Sequence, residues 1–179
     1  MIWYLSMFLL GGISDILLQK HLCLKKKPFT ILFSLLFSLL LVAAFDDSIR
    51  IIKGCVFIQT LIVISYLDIK TRVIPDLLLL PIALCGLIQL DLGSSISGII
   101  FIPIVMLILA IKTDGIGGGD IKLTAACGWV LGGWLLIPAI VIAYSLSLLF
   151  YPVFHRDSNT GYPMAPYIGL GCSIVYLIQ

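Results

Sequence analysis

The sequence predicts an all-α integral membrane protein, a bundle of about eight transmembrane helices. Of its 179 residues, 61% are hydrophobic and 11% are charged, whereas soluble globular domains are about 45–50% apolar and about 25% charged. The mean hydropathy is +1.19. Apolar runs and short polar connections fill the chain, so we expect one membrane-embedded domain over residues 1–179. Two N-terminal spans would occupy 1–50, and the core of the domain would occupy about 51–179.

Five apolar runs come first, each bounded by charged or turn-forming residues. They cover residues 2–18, 29–45, 51–67, 77–90 and 96–111. A crossing needs roughly 17–25 residues, and fewer where the span is buried among other helices. The first run lacks the basic start and the small-residue cleavage site of a signal peptide, so we expect a retained span.

The long apolar stretch 121–154 decides whether the number of spans is odd or even. A single helix of this length would extend about 50 Å, which is too long for one crossing. Gly132 and Gly133 offer a break inside it. We therefore predict a short helix over 121–131, a full span over 134–154 and a last span over 162–178.

The basic residues orient this bundle. With the N-terminus outside and an even number of spans, only Arg50 and Lys53 fall on the outer side. The cytoplasmic side receives Lys20, Lys25, Lys26, Lys27, Lys70, Arg72, Lys112, Lys122 and Arg156. Merging 121–154 into one span would move Arg156 to the wrong side. The same topology places Asp68 and Asp120 at the cytoplasmic edge.

Asp68 and Asp120 carry the functional prediction. Asp68 ends one apolar run, and Asp120 follows Gly117-Gly118-Gly119 at the start of another. An acid after glycine is a common helix start in soluble proteins, but an acid at a membrane boundary calls for a functional explanation. The three glycines carry no side-chain bulk, so a substrate backbone could approach closely there.

Two neighbouring carboxylates in a medium of low dielectric constant share one proton and titrate as a pair. The ionised partner draws a proton from a water that attacks a peptide carbonyl, and the protonated partner donates to the oxyanion. This chemistry needs no metal, and the five cysteines contain no Cys-x-x-Cys pair. We therefore expect neither a metal nor a cofactor. The net charge of +2, spread over span ends, gives no sign of nucleic-acid binding.

Other functional classes stay open. A small ion-coupled transporter would also use buried acids, although the internal repeat that is common in that class is not visible. A non-catalytic assembly factor is a third option. A serine nucleophile is disfavoured because the serines in the apolar runs lack a nearby His or Lys at helical spacing.

Two segments resemble the type IV prepilin peptidase family, the GxGD-type aspartyl proteases of pilus and type II secretion systems. Asp68 followed by Ile74-Pro75-Asp76 is similar to the family's D-x-x-x-x-x-I-P-[DN] signature. Residues 117–123, with Gly128 and Gly132 after them, are similar to G-x-G-D-x-K-L followed by G-x-x-x-G. Residues 162–166 are a weaker match to P-F-G-P. The resemblance covers most of 51–171.

The resemblance implies that Asp68 and Asp120 are the catalytic pair of an aspartic endopeptidase. It would remove the basic leader from type IV prepilins or pseudopilins at the cytoplasmic face of the bacterial inner membrane. The partners would be those substrates and the lipid bilayer, with no nucleic acid; the oligomeric state is left open. The residues implied to support the site or to contact the substrate are Gly117, Gly119, Lys122 and Pro75.

One departure from the family limits the predicted activity. Many members carry a cytoplasmic insert with paired Cys-x-x-Cys motifs and also N-methylate the new N-terminus. Here the corresponding connection, about 19–28, holds only Cys23. We therefore predict a peptidase without methyltransferase activity.

Several residues have a structural reading of their own. We expect Asp76 to cap the apolar helix after it and Pro75 to stop any helix running through the connection. Lys122 would reach the interface, or else tune Asp120 or meet the substrate backbone.

The spacing of Gly128 and Gly132 is typical of close helix packing. For Asp15, three roles remain open: capping a kink, pairing with Lys20, or contacting the positive charge of a leader.

Overall fold

The computed structural model describes residues 11–16, 18, 20, 30–113, 115–154 and 162–179. These residues contain α-helices, one 3-10 helix and connecting turns, and no strand. In chain order the elements are α1 (Thr30–Ala44), α2 (Ser48–Thr71), a 3-10 helix (Asp76–Leu78), α3 (Leu79–Gly86), α4 (Leu92–Thr113), α5 (Gly118–Leu131), α6 (Gly133–Phe154) and α7 (Ala165–Ile178). Residues 11–16 are also helical. The all-α prediction is confirmed for this part of the chain.

Among the described residues, three helices are long and apolar enough to cross a membrane: α2, α4 and α6. Helices α1 and α7 are apolar but shorter, as is the stretch Asp76–Gly86. The predicted first span over 2–18 lies largely outside the described residues, and so do most of the connection 19–28, with Cys23, and Arg156. The structure therefore supports a helical membrane protein, and the count of eight spans stays a prediction.

Helix α2 lies at the centre of the bundle. Of the residues in its most apolar window, 56% are buried, compared with 22% for α4 and 28% for α6. The fully buried side chains of α2 include Phe57 and Leu61, and they belong to a cluster that also holds Leu123 of α5 and Ile168 of α7. The outer helices instead expose leucines and isoleucines, as helices facing lipid do.

The predicted break at Gly132 and Gly133 is confirmed. Helix α5 ends at Leu131, and Gly132 has a positive φ of 80° with ψ of 166°, while its N–H bonds to the carbonyl of Gly128 at 2.8 Å. Only glycine adopts this conformation readily, and a Cβ here would also collide with Ser94. The chain can therefore end one helix and begin the next within a single residue.

Helix α5 is seated closely on two neighbours. A Cβ on Gly128 would collide with the backbone carbonyl of Gly98 in α4, and the reverse is also true. The close packing expected at Gly128 is thus confirmed. Helix α5 also contacts α3: the indole N–H of Trp129 donates to the carbonyl of Ala83 in α3 at 3.0 Å. These contacts fix the helix whose first turn carries Asp120.

A buried polar network joins residues 11–16 to α1 and α2. The Thr30 hydroxyl donates to the buried Asp15 carboxylate. The Gln59 amide donates to Ser14 at 2.8 Å and accepts from Ser34 at 2.5 Å. Hydrogen bonds of this kind hold helices together where water is absent. Asp15 therefore has a structural contact that the sequence did not indicate.

Candidate active site

Asp68 lies inside α2 rather than after it. The predicted run stops at Leu67, but the helix continues to Thr71 and ends where Arg72 adopts the left-handed region with φ of 57°. The Arg72 N–H closes the last turn by bonding to the Asp68 carbonyl at 2.9 Å. As a result the Asp68 side chain stays on the inner face of the helix and is only 6% exposed.

The Asp68 carboxylate is anchored from the far end of the chain. Its Oδ2 accepts a hydrogen bond from the backbone N–H of Ala165 at 3.1 Å. Ala165 is the first residue of α7, where backbone N–H groups lack helical partners and the helix dipole favours negative charge. The segment 162–166, the weakest of the three sequence matches, therefore contacts Asp68. Only the two prolines around Ala165 could have signalled such a turn from the sequence.

Asp120 lies in the first turn of α5, which begins at Gly118, three residues earlier than predicted. Gly117 occupies the N-cap position, and a Cβ there would lie 3.1 Å from Asp120 Oδ2. A Cβ on Gly119 would lie 3.3 Å from the side chain of Ile74. Gly117 thus leaves room for the carboxylate itself, and Gly119 leaves room for Ile74. A Cβ on Gly118 would meet nothing within 4 Å, so Gly118 alone among the three faces open space.

Asp68 and Asp120 line the same cavity, which has a volume of about 500 Å³. One wall is formed by Asp68 and Arg72 with the connection that follows α2. The other is formed by Gly117, Gly118 and Gly119, which we call the glycine turn, and by Asp120 and Lys122 after them. The structure brings all six predicted site residues to this cavity: Asp68, Pro75, Gly117, Gly119, Asp120 and Lys122. Within the described part of the chain, no group of three His, Cys, Asp or Glu residues is arranged to hold a metal ion.

The cavity favours the neutral form of Asp120, which lies outside the three helices of span length. Burial raises the pKa of Asp120 to about 7, and the negative charge of Asp68 contributes to the rise. Both causes act against a second negative charge in the cavity. Asp120 can therefore keep its proton near neutral pH in the cavity that it shares with Asp68.

Lys122 and Asp76 form an ion pair at the edge of the cavity. The ammonium donates to Oδ1 at 2.9 Å and to Oδ2 at 2.8 Å. The expected helix cap at Asp76 is wrong, because Pro75 occupies the N-cap position and Asp76 is already part of the 3-10 helix. An acid after proline looks locally like a cap, and no local pattern indicates a partner lysine 46 residues away. Asp76 is thus a cavity residue whose contact the sequence analysis missed.

The sequence model of the type IV leader peptidase family matches residues 55–153, a range that includes both aspartates. The chain belongs to the type IV leader peptidase family. The family predicted from the two motifs is therefore confirmed.

The curated proteins that this chain resembles are named as leader peptidases. The chain is 33% identical to a prepilin leader peptidase/N-methyltransferase of Bacillus subtilis (strain 168), over 74% of this chain and 58% of that one. It is 29% identical to the protein of that name from Escherichia coli (strain K12), over 69% of this chain and 63% of the other. It is 27% identical to that from Pseudomonas aeruginosa, over 65% and 46%. The chain thus spans about half the length of these curated relatives. No solved structure matches it.

Proposed function

We propose that this protein is an aspartic endopeptidase that removes the basic leader from type IV prepilins or pseudopilins, with Asp68 and Asp120 as its catalytic residues. The observation that carries the proposal is that the two carboxylates, from separate helices, line one cavity. Membership of the leader peptidase family and relatives named prepilin leader peptidase support the same activity. They favour it over the ion-coupled transporter and the assembly factor.

The proposed reaction divides the work between the two acids. Asp68, anchored through Oδ2, takes a proton from a water whose oxygen attacks the scissile carbonyl carbon. Asp120 donates its proton to the carbonyl oxygen, which becomes a hydroxyl. On collapse, the proton held by Asp68 passes to the leaving nitrogen as the C–N bond breaks. Asp120 then recovers the hydroxyl proton, so both acids return to their starting states.

We propose the cytoplasmic face of the bacterial inner membrane as the location of the cavity, in a multi-pass protein of about eight spans. The last turns of α2 and α4 carry Lys70 and Lys112, and both helices end on the side where α5 begins. Basic residues at these helix ends support a cytoplasmic orientation. Residues 1–179 would form a single membrane-embedded domain whose core is about 51–179.

We further propose that cleavage occurs without methylation of the product. The relatives are named for an N-methyltransferase as well as a peptidase. This proposal rests on the sequence, in which no two cysteines are spaced as Cys-x-x-Cys. The mass of a processed pilin tests this proposal directly. A mass that includes an added methyl group would contradict cleavage without methylation.

The deciding experiment replaces each acid by its isosteric amide. Asp68→Asn and Asp120→Asn should each lower cleavage of a co-expressed prepilin by about 10²–10⁴-fold, because each removes one half of the acid–base pair. Asp91→Asn, an exposed acid in the turn before α4, serves as the matched control. Membrane fractionation verifies that each variant is inserted. Cleavage that persists in both cavity variants would favour a carrier or a scaffold.

A further inference from the structure

The connection after α2 and the start of α5 touch at two points beside the proposed catalytic pair. We call residues 72–76 the rim loop, since they line the cavity. The Ile74 side chain packs against Gly119, the residue directly before Asp120. Asp76 binds Lys122, two residues after Asp120. The two contacts therefore flank Asp120 along the chain.

The rim loop is also tied to Asp68. It begins at Arg72, whose N–H bonds to the carbonyl of Asp68 itself. A displacement of the rim loop would therefore act on the last turn of α2, whereas a displacement of the glycine turn would act on Asp120. The contacts between the rim loop and the start of α5 therefore limit how far the two carboxylates can move apart.

General stabilisation of the fold does not account for the Lys122–Asp76 pair. The side chains are 57% and 71% exposed, and exposed pairs contribute little to folding and weaken with salt. A lysine that only extended to the interface would need no partner. Here the ammonium contacts both oxygens of an acid, and both residues line the cavity.

We propose that Asp76 and Lys122 are positioning residues, whose ion pair clasps the rim loop onto α5 and sets the separation of Asp68 and Asp120. This proposal rests on the proposed peptidase function. It gives Lys122 a role through Asp76, in place of direct contact with Asp120 or with the substrate backbone. Because geometry at the reacting centre governs the chemical step, the clasp should act on kcat more than on KM.

The test uses the full chain in lipid nanodiscs with a purified type IV prepilin that retains its leader. The variants are Asp76→Asn, Lys122→Gln and the charge exchange Asp76→Lys with Lys122→Asp. Each single variant should lower kcat by about 10-fold to 100-fold with a smaller change in KM. The exchange should recover most of that loss, because it restores an ion pair with reversed polarity. Added salt should lower the kcat of the parent protein and leave that of the single variants unchanged.

The chain offers a matched control at the other end of α2. Arg50 and Asp47 form an exposed ion pair with an N–O distance of 4.0 Å. Arg50→Gln removes the same charge from a pair of similar exposure and should leave kcat and its salt dependence unchanged.

Two results would overturn the clasp. One is an exchange variant no more active than the singles; the other is a loss in Lys122→Gln with none in Asp76→Asn, which would mean that Lys122 acts directly on the substrate or on Asp120. The amide variants of Asp68 and Asp120 separate this failure from failure of the proposed function. If Asp68→Asn and Asp120→Asn abolish cleavage, but the charge exchange is no more active than Asp76→Asn or Lys122→Gln, then only the clasp is wrong and the proposed function stands.

Discussion

Asp68 and Asp120 face one cavity, but the fold holds them in different ways. Asp68 is buried in the last turn of a 24-residue helix, and a backbone N–H from a residue 97 positions away binds its carboxylate. Asp120 sits in the first turn of a 14-residue helix and is placed by the glycine turn before it. The first acid depends on long-range packing, and the second depends mainly on local backbone.

The difference bears on the chemistry of the pair. A hydrogen bond from a helix N-terminus stabilises a negative charge, and Asp68 has such a bond. No hydrogen bond to the Asp120 carboxylate is found among the described residues, and burial raises its pKa to about 7. An asymmetric pair of this kind suits acid–base work in which one member holds the proton. Three measurements test this contrast.

The largest effect is expected at the glycine turn. Gly117 has φ of −68° and ψ of 137°, which any residue adopts, so Gly117→Ala adds only a methyl group 3.1 Å from Asp120 Oδ2. We expect the carboxylate to shift and the rate of prepilin cleavage to fall by about 10-fold to 100-fold. Gly118→Ala, whose methyl meets open space, is the paired variant and should lose less. Equal losses would contradict local placement of Asp120.

A smaller effect is expected from pH. In the proposed reaction Asp120 donates a proton, and its pKa is raised to about 7, so activity should decline as pH rises through about 7. The stability linked to this group has the same sign: it is fully present below the ordinary pKa of an aspartate and is lost as pH rises through about 7. Asp68→Asn removes one cause of the shift, so the pKa of Asp120 should fall.

The carboxylic-acid infrared band, followed through a pH titration in nanodiscs, measures this change. The band should vanish at a lower pH in Asp68→Asn than in the parent protein. If the pKa of Asp120 is the same in Asp68→Asn as in the parent protein, the two acids do not interact electrostatically.

The smallest effect concerns the stability of the amide variants. Asp120→Asn removes a half-buried acid that accepts no hydrogen bond among the described residues, whereas Asp68→Asn loses a charge-assisted bond to the start of α7. At pH 8, the free energy of unfolding should therefore be higher for Asp120→Asn, by about 1 kcal/mol. Thermal unfolding in the same detergent gives the comparison. The reverse order would show that Ala165 does not stabilise the Asp68 charge.

Local features of this chain could be predicted well. The break at Gly132 follows from a backbone conformation that glycine alone adopts readily, and the apolar runs over α2, α4 and α6 follow from composition. The helix ends were less predictable. Helix α2 runs past Asp68 because Arg72 closes its last turn in the left-handed region, which is uncommon for a residue with a side chain.

Two contacts between distant segments could not be predicted from the sequence. The pairing of Asp76 with Lys122 joins residues 46 apart, and that of Asp68 with Ala165 joins residues 97 apart. Local pattern assigned Asp76 to a helix cap because an acid before an apolar helix usually serves there. The residues around each of these positions do not indicate which distant helix end will lie beside it in the fold.

The apolar helices, the glycine break and the family could be predicted from the chain alone, because hydropathy, backbone freedom and motif spacing are properties of neighbouring residues. The resemblance also implied that Asp68 and Asp120 pair, but the backbone N–H beside Asp68 and the ammonium at the edge of the cavity became visible only in the folded bundle. Those contacts depend on how α2, α5 and α7 pack, and packing is a property of the whole bundle.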